Sequence, residues 1–329
     1  MNTLQMMKAI EITKPGEPDV LRMTERPMPK PGTGQILMKI SAAGVNRPDI
    51  LQRRGAYPPP PGASDLPGLE ASGTIVGSGD GVVGWSVGDP ICALLPGGGY
   101  AEYAVVDARA CLPIPEGLDM TEASTLPETM LTVWANLFVD AGLVTGERAL
   151  VHGGTSGIGV TAIAMCRAIG AKIVVTCGAA QKCAAALDLG ASAAFHYAED
   201  DWVAGIKELG GVEVVLDMTG GDFLPKNLEC LNDGGRHVSI AFLRGADTTI
   251  NIFSLMRKRL RLSGSTLRSR SDDEKAALVN GLKGKFWPLL EAGNVKIPIF
   301  QAFALEDAAE AHRVMEAGDH VGKIVLTVP

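Results

Sequence analysis

The chain has no CxxC pair, no cluster of lysines and arginines, and no apolar run of the about 20 residues that a membrane-spanning helix needs. Its six cysteines, Cys92, Cys111, Cys166, Cys177, Cys183 and Cys230, are scattered singly. Unpatterned cysteines in a long chain argue against a disulfide framework and for a reduced, intracellular protein. The five histidines, His152, His196, His237, His312 and His320, show no metal-ligand spacing. The opening Met1–Met7 carries no apolar leader, so a cytoplasmic location is expected. A formal net charge of −7 speaks against recognition of nucleic acid through its phosphates. In the richest basic stretch, Arg257–Arg270, charged and apolar residues alternate, which reads as a solvated edge.

What is present is an ordinary globular balance, 46% hydrophobic and 20% charged over 329 residues. That length exceeds what one core usually fills, so two domains are expected. The first third alternates short strand-like runs (36–40, 73–77, 101–106) with Gly and Pro punctuation such as Pro58-Pro59-Pro60-Pro61-Gly62. From Thr121 strands and helices alternate: a helix over 130–141, strands at 148–152, 172–176, 212–217 and 235–241, helices at 158–169 and 181–189. That pattern predicts an α/β fold with a parallel, doubly wound sheet. The tail carries helices at 271–291, with Ser271 as cap and Glu274 three residues on, and at 305–316, then a strand at 324–328. It is expected to complete the first domain, giving 1–128 with 268–329 around 129–267.

The sharpest local motif is Val151-His152-Gly153-Gly154-Thr155-Ser156-Gly157-Ile158-Gly159, entered by a strand and left by a helix. Gly154, Ser156 and Gly159 match G-x-G-x-x-G with Ser in the middle place. Gly154 would permit the tight turn and Gly159 close packing of helix on strand. The helix start would offer N–H groups and positive dipole to a pyrophosphate. The Ser156 hydroxyl could bond a phosphate or reach the substrate. NAD-binding units usually place Asp or Glu about 20 residues on, against the ribose 2′-OH. Here that place reads Thr176-Cys177-Gly178-Ala179-Ala180-Gln181-Lys182. Gly178 leaves space and Lys182 brings a cation, which favours NADPH.

Taken over its whole length, the chain resembles the zinc-independent quinone oxidoreductases of the medium-chain dehydrogenase/reductase superfamily. The residues that carry the resemblance are Ala43-Gly44-Val45-Asn46-Arg47-Pro48-Asp49, Tyr57-Pro58-Pro59-Pro60, Pro67-Gly68-Leu69-Glu70-Ala71-Ser72-Gly73, the 153–159 turn and Gly322-Lys323-Ile324-Val325-Leu326. Residues 56–64 and 264–270 look similar to the branch related to the tumour-suppressor-induced quinone reductase. The resemblance implies a GroES-like β-rich domain, a Rossmann-like NADPH domain and a site in the cleft. Zinc-dependent relatives carry a Cys at or beside Asn46 and a His before the Glu of Gly-His-Glu. Here that motif reads Gly68-Leu69-Glu70, so no metal is expected.

The resemblance also implies the site residues. Tyr57 would hydrogen-bond the acceptor oxygen, or simply pack on the prolines beside it. Asn46 would touch the nicotinamide ribose or the substrate, or cap a turn. Ser156 completes the catalytic candidates. Cofactor contacts are expected from Asn46, Thr129, Gly154, Ser156, Gly157, Ile158, Gly159, Gly178, Gln181, Lys182, Tyr197, Thr219, Phe242, Leu243, Thr266, Arg268 and Lys323. Lys323 could instead be a surface residue flanking a strand, and Glu70 could buttress the fold or act. The expected reaction is NADPH-dependent reduction of a quinone or another electrophilic carbonyl compound. Reduction of enones, enals or enoyl thioesters is the enzymatic alternative, and an NADPH-binding structural or redox-sensing protein the non-enzymatic one. A homodimer is expected, with 248–262 supplying a sheet edge.

Overall fold

The computed structural model describes residues 5–329; Met1–Leu4, part of the start expected to carry no leader, lie outside the described residues. The chain forms two compact units. One runs to Leu131 and is resumed by Arg268–Glu291 and Ile297–Pro329; the other is Thr132–Leu267 with Ala292–Lys296. In chain order the first unit holds β1 (Met6–Ile12), β2 (Leu21–Pro27), β3 (Gln35–Val45), β4 (Glu70–Ser78), β5 (Pro90–Leu94), β6 (Tyr103–Asp107) and β7 (Cys111–Pro113). The second holds β8 (Arg148–His152), β9 (Lys172–Cys177), β10 (Ala193–His196), β11 (Val212–Asp217), β12 (Leu231–Ser239) and β13 (Arg261–Gly264). The first is then resumed with β14 (Ile299–Ala304) and β15 (Lys323–Thr327).

The second unit is a six-stranded sheet in the order β10-β9-β8-β11-β12-β13, every pair parallel. Counted within the unit this is 3-2-1-4-5-6, the doubly wound dinucleotide-binding order, with its reversal beside β8. The reason lies in the strand sequences. Leu150, Val174, Val175, Val214, Val215 and Leu216 are all fully buried, as strands covered on both faces must be. Helices Gly157–Ala168 and Ala180–Asp188 join β8 to β9 and β9 to β10.

The first unit holds a two-stranded sheet, β1-β2, and a seven-stranded sheet, β14-β15-β3-β4-β5-β7 with β6 also on β3, over a core that includes Ile36, Met38, Ile40, Ile75, Ile91 and Tyr100. The last strand matters most for function. β15 pairs antiparallel with β3, Ile324 opposite Val45, and so sets Lys323 beside Asn46. Helix Asp272–Glu291 begins as expected, with the Ser271 amide and hydroxyl both bonded to the Glu274 carboxylate.

Two expected elements differ. The single helix expected over 130–141 is an α-helix, Pro127–Val133, that widens into a π-helical stretch, Trp134–Asp140. There the Ala141 N–H reaches back five residues to the Asn136 carbonyl at 3.0 Å. The segment 248–262 is not a continuous sheet edge. Asn251 accepts the Phe253 N–H at 2.9 Å and starts helix Ile252–Lys258, so only β13 lies on the sheet.

Candidate active site

The turn after β8 is held from two sides. The amides of Gly153 and Gly154 both donate to the Thr176 carbonyl on β9, at 2.9 and 3.0 Å. The left-handed backbone (φ 70°) belongs to Gly153, one residue before the position expected to make the turn. Gly154 is needed for another reason: a Cβ there would stand 2.5 Å from Val175 Cγ2. A Cβ on Gly159 would strike the turn itself, 2.3 Å from the Gly153 oxygen, and not the strand expected to receive it. Ser156 is the N-cap of helix Gly157–Ala168. Its Oγ donates to Gly153 O at 2.7 Å and accepts the Gly159 N–H at 3.1 Å. Here the hydroxyl proton is used in shaping the turn. No acid occupies the first turn of this helix. A backbone pinned this closely and a positive helix start suit a pyrophosphate.

The loop after β9 gathers the residues expected to read the ribose. Gly178 sits against Tyr197, so that a Cβ would meet the phenol oxygen at 3.0 Å. Tyr197 directly follows β10, its N–H bonded to Cys177 O, and the residue is 43% exposed. Gln181 and Lys182 lie in the first turn of helix Ala180–Asp188, which contains no acid there. Beyond β11, Asp217 Oδ1 accepts the amides of Thr219 and Gly220 at 2.6 and 3.1 Å and fixes that loop. Phe242 and Thr266 line one open groove with Gly220, Ser239 and Gly264. Leu243 is half exposed beside Phe242, its amide on the Met218 carbonyl.

In the first unit the expected residues form a buried ionic cluster. Lys323 is 2% exposed, and its ammonium donates to Glu70 Oε1 (2.7 Å), Asn46 Oδ1 (2.6 Å) and Val45 O (3.2 Å). An ammonium can be buried only if it is paired. Lys323 is thus neither a surface residue nor a donor available to a cofactor, since all three of its hydrogens are used. Asn46 is tied to the same carboxylate: its Nδ2 donates to Glu70 Oε1 at 2.8 Å. Glu70 Oε2 accepts the Glu128 N–H at 2.9 Å, and Glu70 buttresses the fold. Thr129 is buried and donates to the Thr125 carbonyl.

Next to this cluster runs a chain that the sequence reading missed. Asp49 accepts the Asn46 and Gly68 amides (2.8 and 3.0 Å) and the Tyr100 hydroxyl (3.3 Å). Tyr100 meets His312 Nε2 at 3.1 Å, and His312 Nδ1 meets Arg53 Nη1 at 3.2 Å. Arg53 can only donate, so Nδ1 accepts and Nε2 carries the imidazole proton. Burial pushes Asp49 up to about 6 against the pull of its amide partners. Burial, and then the Arg53 charge, push His312 down to about 3. The one local signal was Asn46-Arg-Pro-Asp49, an acid three residues after a helix-start Asn.

Tyr57 and Arg268 form a pair of their own. The Arg268 guanidinium lies over the Tyr57 ring, 5.1 Å from its centroid, and donates twice to the Pro96 carbonyl (2.8 and 3.2 Å). Its Nη1 is buried without a partner. Burial raises the Tyr57 phenol above its usual range, which keeps it a donor. Among the described residues no three His, Cys, Asp or Glu side chains converge as a metal site, and Leu69 fills the place before Glu70 with an apolar chain.

Two family models match: the alcohol dehydrogenase GroES-like domain over residues 32–116 and the zinc-binding dehydrogenase over 157–280. The chain is 32% identical to the quinone oxidoreductase of Rattus norvegicus over 328 residues, 98% of each chain. It aligns with the crystal structure of Escherichia coli quinone oxidoreductase complexed with NADPH at a TM-score of 0.86 and 29% identity, over 97% of this chain and 99% of that one. The apo JamJ enoyl reductase aligns at 0.88 and 25% identity, over 98% and 99%. With its GroES-like unit, its 3-2-1-4-5-6 parallel sheet and these relatives, the chain belongs to the quinone oxidoreductase family of the pyridine-nucleotide-dependent medium-chain dehydrogenases/reductases.

Proposed function

We propose that the protein is a cytosolic, zinc-independent NADPH:quinone reductase. The observation that carries the reading is the pairing of a phosphate-ready turn at 153–159 with an acid-free stretch after β9 whose first helical turn carries Lys182. Bound NADPH supplies the hydride. The chain's own residues do the rest. The Gly157, Ile158 and Gly159 helix start holds the pyrophosphate, while Gly178, Gln181, Lys182 and Tyr197 surround the 2′-phosphate. Thr219, Phe242, Leu243 and Thr266 border the nicotinamide end, and the unpaired Arg268 Nη1 bonds a bound oxygen. Tyr57 hydrogen-bonds the acceptor oxygen as it gains negative charge, and the single proton that completes the two-electron reduction comes from water. Asn46, Lys323 and Ser156 act as positioning residues. An already polarised acceptor needs no Lewis acid.

The similarity to an enoyl reductase supports one second reading, reduction of an enone or enal by the same hydride transfer. NADPH consumption measured side by side with an ortho-quinone and an enal separates the two. Tight NADPH binding with no turnover on either would mean a binding or sensing protein instead. Lys182→Asp is expected to raise the KM for NADPH about tenfold and leave NADH little changed. An unaltered preference would refute the cofactor assignment.

The proposed assembly is a homodimer. β13 is exposed along its whole length at the sheet edge, and Ile252, Phe253 and Met256 on the preceding helix are 59–69% exposed. Light scattering should give twice the 34.4 kDa chain mass, and Phe253→Glu should shift it toward the monomer.

A further inference from the structure

Asp217 ends β11 and is fully buried. A buried carboxylate is costly unless donors surround it. Its two oxygens are divided between two tasks. Oδ2 faces inward, 3.1 Å from Asn227 Nδ2 and 3.3 Å from His237 Nε2. Oδ1 faces the loop that follows the strand and accepts the Thr219 and Gly220 amides at 2.6 and 3.1 Å. That loop carries a second one with it. The Leu243 N–H donates to Met218 O (3.2 Å), the Arg244 N–H to Thr219 O (2.8 Å) and the Gly221 N–H to Gly245 O (2.9 Å), while the Ile240 N–H donates to the Asp217 main-chain carbonyl (2.8 Å). Loops 217–221 and 240–245 are therefore laced together backbone to backbone, within one unit. They have no slack between them: Gly220 is left-handed (φ 66°), and a Cβ there would stand 2.6 Å from the Gly245 oxygen. Thr219, Phe242 and Leu243, assigned above to the nicotinamide end, thus take their places from one buried side chain.

We propose that Asp217 is a positioning residue for hydride transfer: its carboxylate sets the paired loops 217–221 and 240–245, and through them the nicotinamide ring. The proposal rests on the NADPH reading above, which makes these loops the border of the nicotinamide. Hydride transfer needs donor and acceptor atoms in near-attack geometry, and a displacement of about 1 Å can cost on the order of 10²-fold in rate. Hydrogen bonds to an ionised acceptor are about twice as strong as those to a neutral one, which suits a carboxylate to holding two amides on one oxygen. The pyrophosphate turn is held separately, by the Gly153 and Gly154 amides on the Thr176 carbonyl. Removing the Asp217 carboxylate should therefore disturb the transfer step more than the binding of the coenzyme.

Asp217→Ala leaves the Thr219 and Gly220 amides without their acceptor. Asn227→Ala removes a donor from the other oxygen and leaves both Oδ1 bonds in place, so it is the matched control for a weakened fold. Full-length protein premixed with NADPH is mixed rapidly with an ortho-quinone, or with an enal where the quinone is not reduced, and a single turnover of the coenzyme is followed by absorbance. Asp217→Ala is expected to slow the transfer at least about tenfold, with the NADPH Kd by fluorescence within about threefold of wild type. Asn227→Ala should keep the wild-type rate within about twofold. Partial unfolding lowers the amplitude of the turnover and not its rate, which separates a misplaced ring from a loss of folded protein. If Asp217→Ala does not fold, Asp217→Asn keeps the size of the side chain without its charge and should slow the step about threefold. An unchanged rate in the folded Asp217 variant overturns the proposal, as does equal slowing in Asn227→Ala or a Kd that weakens as much as the rate falls. A wild type that oxidises no NADPH with either acceptor would remove the reading on which the proposal stands; a wild type that turns over beside an equally fast Asp217 variant removes the proposal alone.

Discussion

Each unit buries a polar network, and the two are built on opposite plans. In the first unit, Lys323, Glu70, Asn46, Asp49, Tyr100, His312 and Arg53 form an ionic assembly with full charges deep in the fold. In the second, His152 bonds Thr176 Oγ1 (2.8 Å) and Asn227 Oδ1 (2.7 Å), while Asn227 Nδ2 and His237 Nε2 reach Asp217 Oδ2 at 3.1 and 3.3 Å. That network carries one carboxylate and is otherwise linked by amide, hydroxyl and imidazole groups. The difference bears on what each can lose. Removing one partner of a buried ion pair strands a charge, whereas removing an amide strands only a dipole.

The sharpest way to break the comparison is to remove one member of each. Glu70→Ala leaves the Lys323 ammonium buried with only neutral acceptors and is expected to cost about 3–5 kcal/mol in urea unfolding. Asn227→Ala orphans His152 Nε2 and one contact to Asp217, for about 1–3 kcal/mol. Equal losses would erase the distinction. Lys323→Met combined with Glu70→Gln should recover part of the Glu70→Ala loss, because no charge is then left unpaired.

Acid separates the networks next. The folded His312 titrates near 3, below its ordinary 6.5, so the unfolded chain takes up the proton first and stability falls as pH drops from about 6.5 toward 3. Asp49 titrates near 6, above its ordinary 3.8. The folded chain takes up that proton first, and stability rises as pH drops from about 6 toward 4. Over pH 4–6 the two effects oppose each other, and the first network should be nearly flat. His312→Gln then tilts the protein toward greater stability in acid relative to wild type, and Asp49→Asn toward less, each by about 1.4 kcal/mol per pH unit. In the second network burial lowers His152; burial works to raise Asp217, but the His237 hydrogen bond and the His152 charge hold it below its usual range. Both groups lose stability as pH falls, so nothing compensates there. Tilts of the same sign in the two first-unit variants would show that their proton affinities are not opposed.

Legibility followed the distance along the chain. The 153–159 turn could be read because strand, glycines and helix are contiguous, and so could the Ser271–Glu274 helix start. Even there, the left-handed turn position expected at Gly154 fell to Gly153. A sequence shows that glycine is needed, but only the approach of Val175 shows which glycine lacks room for a Cβ. Lys323 and Asn46 are 277 positions apart, and nothing in either neighbourhood reveals that β15 will lie on β3. Their resemblance to site residues suggested ligand contacts and gave no hint that Lys323 pairs with Glu70 while Asn46 hydrogen-bonds both. The Asp49–Tyr100–His312–Arg53 chain spans three separate elements and left only the Asn-x-x-Asp trace. The π-helical stretch at 134–140 has no sequence period of its own to distinguish it from an α-helix.

The smallest expected effect tests the tautomer on which the second network depends. Asn227 Nδ2 faces the Asp217 carboxylate, so its Oδ1 faces His152, and His152 Nε2 must carry the proton. His152 Nδ1 is then an acceptor, and Thr176 must donate to it. Thr176→Val keeps the shape of a side chain that is 1% exposed and deletes only that donor. An unpaired imidazole lone pair should cost about 1 kcal/mol, well below the loss from Asn227→Ala. The Gly153 and Gly154 amides bond the Thr176 main-chain carbonyl, so the turn itself should keep its geometry. If Thr176→Val costs as much as Asn227→Ala, the hydroxyl is holding more than the imidazole, and the assigned direction of these hydrogen bonds is wrong.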